Sequence, residues 1–240
     1  MRMYTASGRS RWPYVIGAVV GVLAIAGGIA YASTRGGDTP AASSTPSSSP
    51  SAPSAAPSGG TSGSGDNEDD VAPTGCLGGP DRTVAMVLAA QKDAKHTAFG
   101  AVEVATAFYR WLWQSPYPSQ SDAQQVSAAV MSPSAPSSFA DIAGQYATIK
   151  NPTGGIVPDG VPFYTSTTNG LWQIAETSTP DRVSVSLAAG YVIDGALSPT
   201  EVAVAGYNMV WEQGSWHIAS GINVDQTKLA NGGTRYTGGC

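Results

Sequence analysis

The chain has 240 residues, of which only 12% are charged, and its formal net charge is −5. No run of Lys or Arg occurs in its second half, which argues against a nucleic-acid partner because phosphates are neutralised by clustered basic side chains. Composition divides the chain into a basic tail, an apolar run, a Ser/Pro/Ala-rich stretch and a remainder of about 165 residues, the size of one domain.

The first two segments predict a membrane anchor. Residues 1–13 are the basic tail, and residues 14–32, YVIGAVVGVLAIAGGIAYA, carry no charge. A helix of that length rises roughly 28 Å, close to the thickness of the hydrocarbon layer. Arginines on the N-terminal side predict a cytoplasmic N-terminus and an outer C-terminal domain in the cell membrane. The alternative is a cleaved signal peptide, since Ala30-Tyr31-Ala32 fits a small-x-small cleavage site, although the run exceeds the usual apolar region.

Three glycines of the predicted span fall on one helix face: Gly17, Gly21 and Gly28. Small residues at this spacing allow two helix backbones to approach closely in lipid, which predicts packing of the span and a homo-oligomer. The competing interpretation is the ordinary Gly and Ala richness of a membrane span.

Residues 33–75 form the predicted linker. Most of the segment is low-complexity Ser, Pro, Ala and Gly, with almost nothing to bury, so we expect no folded structure there. Such a linker holds residues 76–240, the predicted extracytoplasmic domain, away from the membrane.

The only two cysteines, Cys76 and Cys240, lie at the two ends of that domain. An oxidising exterior favours a single disulfide bond between them. Intermolecular pairing is the alternative, because Gly238 and Gly239 give the last cysteine freedom to reach a neighbouring chain.

Helical periodicity dominates the first half of the domain. The segment from His96 to Trp113 has a broad apolar face, with Thr97 as a plausible N-cap and Ser115-Pro116 as the stop. Glu103, Thr106, Arg110 and Gln114 take the opposite face. Further helices are predicted over 82–95, 121–131 and 138–149.

After the loop at 151–162 the period changes to two. Residues 182–194 alternate strictly, residues 201–211 are apolar on both faces and so predict a central strand, and 171–176 supplies another. Residues 212–215 predict a hairpin turn into a last strand at 216–220. The predicted class is α+β, with helices packed on a curved antiparallel sheet.

The hairpin Trp211-Glu212-Gln213-Gly214-Ser215-Trp216-His217-Ile218, together with the anchor, spacer and helix, resembles the nuclear-transport-factor-2-like cone. The layout is similar to that of the bitopic assembly proteins of type IV secretion and conjugation systems. The segment from His96 to Val102 resembles membrane-anchored proteins of actinobacterial mobile elements. Over residues 76–222, the resemblance implies a domain that scaffolds other channel components and performs no chemistry.

Few residues qualify for catalysis. His217 alternates with buried positions of a strand, and His96 precedes a helix cap, so both have ordinary structural explanations. A pocket carboxylate with a Tyr donor is the chemistry that cone enzymes, as the resemblance implies, would use, and the candidates are Asp141, Glu176, Asp194, Tyr191 and Tyr207. No metal-ligand spacing, P-loop or dinucleotide motif occurs, so we expect no cofactor, no metal site and no enzymatic activity.

We therefore expect a single-pass membrane protein whose outer domain binds other membrane-complex proteins of a conjugation or secretion system. The alternatives are a surface-displayed cone that binds or hydrolyses a small molecule, and an accessory protein of a lipid-import system.

Overall fold

The computed structural model describes residues 71–149 and 151–240. The helices in these ranges are α1 Val84–Asp93, α2 Ala98–Leu112, α3 Gln120–Val130, α4 Ser137–Ala140, α5 Ile142–Thr148 and α6 Gln226–Gly232. The strands are β1 Gln114–Ser115, β2 Phe163–Ile174, β3 Arg182–Ile193, β4 Ala196–Glu212, β5 Ser215–Gly221 and β6 Thr234–Arg235. The predicted α+β class, with helices packed on a curved antiparallel sheet, is confirmed.

The predicted basic tail, the membrane span and nearly all of the linker lie outside the described residues. Gly17, Gly21 and Gly28 lie there as well, so their packing stays a prediction. Within residues 71–149 and 151–240, no helix has both the length and the apolar character needed to cross a bilayer.

The central helix α2 forms where its sequence pattern predicts it. Oγ1 of Thr97 accepts a hydrogen bond from the amide of Gly100 at 3.1 Å, which is the N-cap geometry. Gly100 itself passes so close to the carbonyl of Lys95 that a Cβ would collide with it. Burial of the helix extends beyond its apolar face, because Thr106 and Arg110 are both 0% exposed.

The segment predicted as one helix over 138–149 is two short helices, α4 and α5. Asp141 separates them: its own backbone leaves the helical region, and its carboxylate accepts a hydrogen bond from the amide of Gly144 at 2.9 Å. An acid that caps the second helix therefore interrupts the first.

The sheet is a meander in the order β1-β2-β3-β4-β5, with every neighbouring pair antiparallel. The predicted central strand is confirmed, since β4 pairs with both β3 and β5. It begins at Ala196, five residues earlier than predicted, because Asp194 and Gly195 adopt positive φ angles of 49° and 80° and make a two-residue hairpin turn. The predicted turn before β5 is confirmed, with Gln213 and Gly214 also at positive φ.

Strand β2 begins at Phe163, eight residues before the predicted start. Its register with β3 shifts between Ser166 and Leu171, where Asn169 has a φ of 61°. This irregularity, in the polar run Thr165-Ser-Thr-Thr-Asn169, breaks the alternation by which a strand is read from sequence.

The inner face of the sheet and the helices enclose one large core. The side chains that β3 directs inward are those predicted from alternation, and the most buried are Val183, Val185, Leu187, Ala189 and Tyr191. The buried side chains of α2 belong to the same core cluster as this face of the sheet.

The chain's C-terminal segment completes the first edge of the sheet. β1 pairs with the beginning of β2, and β6 pairs with Leu171 and Trp172 at its other end. Between them the amide of Thr167 donates to the carbonyl of Cys240 at 2.8 Å. Strand β2 thus has backbone partners along most of its outer edge, and Cys240 is one of them.

Cys240 is joined to Cys76 by a disulfide bond within the chain, with Cα atoms 5.2 Å apart. Beside it, Thr74 forms a parallel bridge with Thr237, and the amide of Gly75 donates to the carbonyl of Thr237. The two ends of the domain therefore form one unit, here called the terminal clamp: residues 74–82 and 234–240.

Candidate functional site: the outer face of the sheet

Half of the outer face of the sheet is covered by the chain itself. Ala188 of β3 and Val204 of β4 point away from the main core and pack under Leu229 of α6, which is 2% exposed. Leu171 and Val224 are the partly buried neighbours of this second, smaller core. Helix α6, together with β6, therefore buries the end of the sheet nearest the terminal clamp.

The other half of the same face is apolar and partly exposed. Tyr164, Val192 and Leu197 are cross-strand partners in one row, and cross-strand partners share a face. Val202 pairs with Gly190, two residues before Val192, and the Leu197 side chain lies over Gly190. These four apolar side chains form the outer-face patch.

Three of the four side chains are exposed despite their size: Tyr164 is 37%, Leu197 43% and Val202 50% accessible, whereas Val192 is buried at 5%. Single exposed apolar residues are common on soluble proteins, whereas contiguous ones mark interaction sites. The outer-face patch therefore has the character of a protein-binding site.

Arg82 borders the patch. Its guanidinium carbon lies 4.3 Å from the centroid of the Tyr164 ring, a cation–π arrangement. Burial lowers the pKa of Arg82, and the tyrosines beside it partly offset this. Nη1 of Arg82 lies 3.4 Å from the carbonyl of Arg110, and neither ion pair among the described residues involves Arg82.

A second arginine, Arg110, holds the terminal clamp against α2. Nη1 of Arg110 donates to the carbonyls of Leu77 at 2.6 Å and Gly79 at 2.7 Å, and Nη2 reaches that of Asp81 at 3.5 Å. Burial and the charge of Arg82 lower the pKa of Arg110 to about 10. This arginine was predicted only as part of the polar helix face, and its role is to satisfy backbone carbonyls that the clamp buries.

The opposite side of α2 faces a group of polar atoms inside the core. The Tyr109 hydroxyl donates to the carbonyl of Ala203 at 2.9 Å. Near it are four buried polar atoms that have no hydrogen-bond partner among the described residues: Trp113 Nε1, Thr165 Oγ1, Tyr191 OH and Tyr207 OH. They form the interior polar cluster.

Two candidate donors, Tyr191 and Tyr207, belong to this cluster. Burial raises the pKa of Tyr191, and the negative charge of Glu201 raises it further. Burial also raises the pKa of Tyr207, which the indole of Trp113 partly offsets, although the two groups do not meet hydrogen-bond geometry. Both phenols therefore stay protonated at neutral pH. Each is a neutral hydrogen-bonding group, not a phenolate base.

The three candidate carboxylates are not brought to these tyrosines. Asp141 caps α5, and Asp194 occupies the β3–β4 turn. Glu176 is exposed, 3.8 Å from Nζ of Lys228. Glu176 and Asp194 lie at opposite ends of β3, which is roughly 35 Å long at the usual rise per residue. The carboxylate whose charge raises the pKa of Tyr191 is Glu201, at the predicted start of β4. No pattern in the sequence around Glu201 pointed to this.

The histidines occupy separate structural positions. His96 stacks on Trp211 with centroids 4.3 Å apart, and its Nε2 lies 2.8 Å from Oδ1 of Asp181. Nε2 of His217 lies 2.9 Å from Oγ of Ser215. His96 thus links the α1–α2 loop to two hairpin turns, a contact that its place before a helix cap did not predict. In the described part of the chain, no group of three or more His, Cys, Asp or Glu residues could hold a metal ion.

Comparison with protein-family models, with curated proteins and with solved structures produced no match for this chain. A function for this chain is therefore inferred from the geometry of its own surfaces.

Proposed function

We propose that this protein is a membrane-anchored extracytoplasmic scaffold of a conjugation or secretion complex, which binds other membrane-complex proteins without catalysing a reaction. The observation that carries the proposal is the outer-face patch, a contiguous apolar surface directly beside one that the chain covers with its own helix. The charge-free run at 14–32 and the linker at 33–75 support the location, since they would hold this surface outside the membrane.

The contacts of the patch indicate what a partner offers. Tyr164 is of the residue type that acts as an anchor in protein interfaces when a partner excludes water from it, and Leu197 adds apolar area beside it. Arg82 at the rim favours a partner with a carboxylate beside its apolar surface, because charge complementarity fixes the orientation of docking.

Photo-crosslinking in cells tests the proposal. A photoreactive amino acid replaces Val202 in the patch or, as the control, Gln124, which is exposed on α3. We expect a product with a protein of a conjugation or secretion machine from position 202 and none from 124. The same product should be lost when Leu197→Glu is added.

Other captured proteins would decide against the proposal. A product with a component of a lipid importer would support the accessory protein of such a system, and a product with a second copy of this chain would make the patch a dimer surface. Capture that survives Leu197→Glu, or capture of no membrane-complex protein, would overturn the scaffold.

The interior polar cluster favours a second candidate, a cone that binds a small molecule. Buried hydroxyl and indole groups that lack a hydrogen-bond partner among the described residues could orient a polar ligand, since a few placed polar groups do so in apolar pockets. Native mass spectrometry of the purified full-length chain would detect a retained ligand. A mass that disappears in the double variant Tyr191→Phe/Tyr207→Phe would support this candidate, and the apoprotein mass alone in the parent chain would count against it.

A further inference from the structure

A separate cavity lies between the end of α2 and the loop that leads into β2. Its volume is about 220 Å³, enough for about seven waters or a ligand of about seven to ten non-hydrogen atoms. One side comes from the segment after α2 and the other from the loop at 151–162. The side chains used below are Ser115, Tyr117, Asp159, Val161 and Phe163.

The loop is held in shape by one amide side chain. Nδ2 of Asn151 donates to the carbonyl of Val157 at 2.9 Å and to Oδ1 of Asp159 at 2.8 Å. Oδ1 of Asn151 accepts from both the amide and the hydroxyl of Thr153, at 2.9 and 2.6 Å. Asn151 therefore uses all four of its hydrogen-bonding positions, and among the described residues its side chain is the one that donates to the Asp159 carboxylate, at Oδ1.

An aromatic wall stands next to this carboxylate. The Tyr117 ring stacks on Tyr146 with centroids 5.3 Å apart and meets the edge of Phe163 at 6.4 Å. It is held in place by these rings although it is 37% exposed. Burial and the negative charge of Asp159 raise the pKa of the Tyr117 phenol, so the ring stays neutral beside the carboxylate.

Asp159 and the Tyr117 ring favour a positively charged ligand. Asp159 is the one charged side chain among the described residues that line the cavity. A carboxylate attracts a cation, and the face of a neighbouring aromatic ring adds to that attraction. Val161 and Phe163 supply apolar surface for the rest of a ligand.

We propose that this cavity is a binding site for a small organic ammonium ion. The ammonium group donates to Oδ2 of Asp159, its charge lies against the Tyr117 ring, and its apolar part contacts Val161 and Phe163. The Ser115 hydroxyl is within the same cavity as a further hydrogen-bonding group. The site is independent of the outer-face patch, and its ligand is of a different chemical class from a protein partner.

Titration of the purified full-length chain tests the proposal with benzylammonium as the probe and benzyl alcohol as its neutral isostere. Calorimetry gives the affinity, and the NMR signals of the Asn151 side-chain amide and the Gly160 backbone amide report the location. We expect benzylammonium to bind at least tenfold more tightly than benzyl alcohol. Nα-acetyl-lysine methylamide distinguishes a lysyl side chain from a free amine as the source of the same chemistry.

Three variants separate the contributions. Asp159→Asn keeps an oxygen for the Asn151 hydrogen bond, so the loop should remain folded, yet affinity should fall at least tenfold. Tyr117→Leu should weaken binding about threefold. Asp93→Asn, an exposed acid on α1, removes the same charge elsewhere and should leave affinity unchanged. Thermal melting of each variant reports whether the fold is retained.

Equal binding of benzylammonium and benzyl alcohol would overturn the proposal, as would unchanged affinity in Asp159→Asn or shifts that miss Asn151 and Gly160. Lys150, which precedes the loop, provides a further test. Binding that appears only in Lys150→Gln would mean that an ammonium group of the chain itself occupies the carboxylate, and the site would not bind a free ligand.

Discussion

The two halves of the outer sheet face have similar strands beneath them but opposite surroundings. In one half, Ala188 and Val204 lie under Leu229 of α6. In the other, Leu197 and Val202 lie in solvent. Both halves are apolar, so burial of apolar area would favour covering each of them.

The difference lies in what the chain can bring to each half. The disulfide bond and β6 fix residues 234–240 along the edge of β2, and α6 is therefore delivered to the near half only. The half covered by α6 therefore contributes to folding stability, and the exposed half is left for binding. The following predictions test that separation, beginning with the largest expected effect.

Loss of the disulfide bond should have the largest effect on the covered half. In the chain-entropy model, a bridge that spans 164 residues contributes at most about 5 kcal/mol to the free energy of unfolding. Urea denaturation of Cys76→Ser and Cys240→Ser should show equal losses, because each variant removes the same bond. Hydrogen exchange should show reduced protection in residues 234–237 but not in β3.

The parent chain should migrate as a monomer on a non-reducing gel. A dimer that reductant dissolves would instead indicate the intermolecular pairing that the sequence leaves open.

Two leucines on the same face provide a matched pair. Leu229→Ala should cost about 2–4 kcal/mol of unfolding free energy, because it opens a cavity in the smaller core. Leu197→Ala should change it by less than about 0.5 kcal/mol, because the side chain is exposed. Denaturant midpoints of the two variants measure the contrast directly. Similar losses in both would mean that the outer-face patch is covered within the protein itself.

Arg110→Met should weaken the clamp from the N-terminal side. The carbonyls of Leu77 and Gly79 would lose their donor while staying largely buried, at a cost of about 2–3 kcal/mol. Arg110→Lys should lose part of this, since an ammonium cannot reproduce the forked geometry of a guanidinium. Chemical denaturation gives both values, and a loss in Arg110→Lys as large as in Arg110→Met would show that donor geometry, not charge, is decisive.

The smallest expected effect is the contrast between two buried tyrosines, Tyr109 of α2 and Tyr207 of β4. Tyr109→Phe removes the hydrogen bond to Ala203 and should cost about 1 kcal/mol. Tyr207→Phe removes a buried hydroxyl without a described protein partner and should be neutral or stabilising. Thermal denaturation of the two variants tests this, and an equal loss in Tyr207→Phe would mean that the Tyr207 hydroxyl has a hydrogen-bond partner after all.

Local patterns predicted the elements that carry strong periodicity. The apolar stripe and Thr97 cap predicted α2, and the alternation from Val183 to Ile193 predicted which side of β3 is buried. These signals are local because a helix or a half-buried strand repeats the same environment along its own length.

The same local signals failed where structure depends on a distant segment. The beginning of β2 is polar and irregular, and it becomes a strand because β1, β3 and the C-terminal residues pair with it. Arg110 and Thr106 were predicted to lie on the polar face of the helix. Both are buried under the terminal clamp, where Arg110 donates to the carbonyl of Leu77 and Thr106 hydrogen-bonds with Tyr236. The cavity beside Asp159 likewise joins two segments that no motif connects.

The sequence by itself determined the α+β class, the central helix, the inward side of β3 and the central place of β4, because each follows from how apolar residues are distributed along its own segment. Only the tertiary structure decided which polar residues are buried, which half of the outer face α6 covers, and which carboxylate lies near Tyr191. Those outcomes depend on long-range pairing, and contacts between distant segments leave no periodic trace in either segment alone.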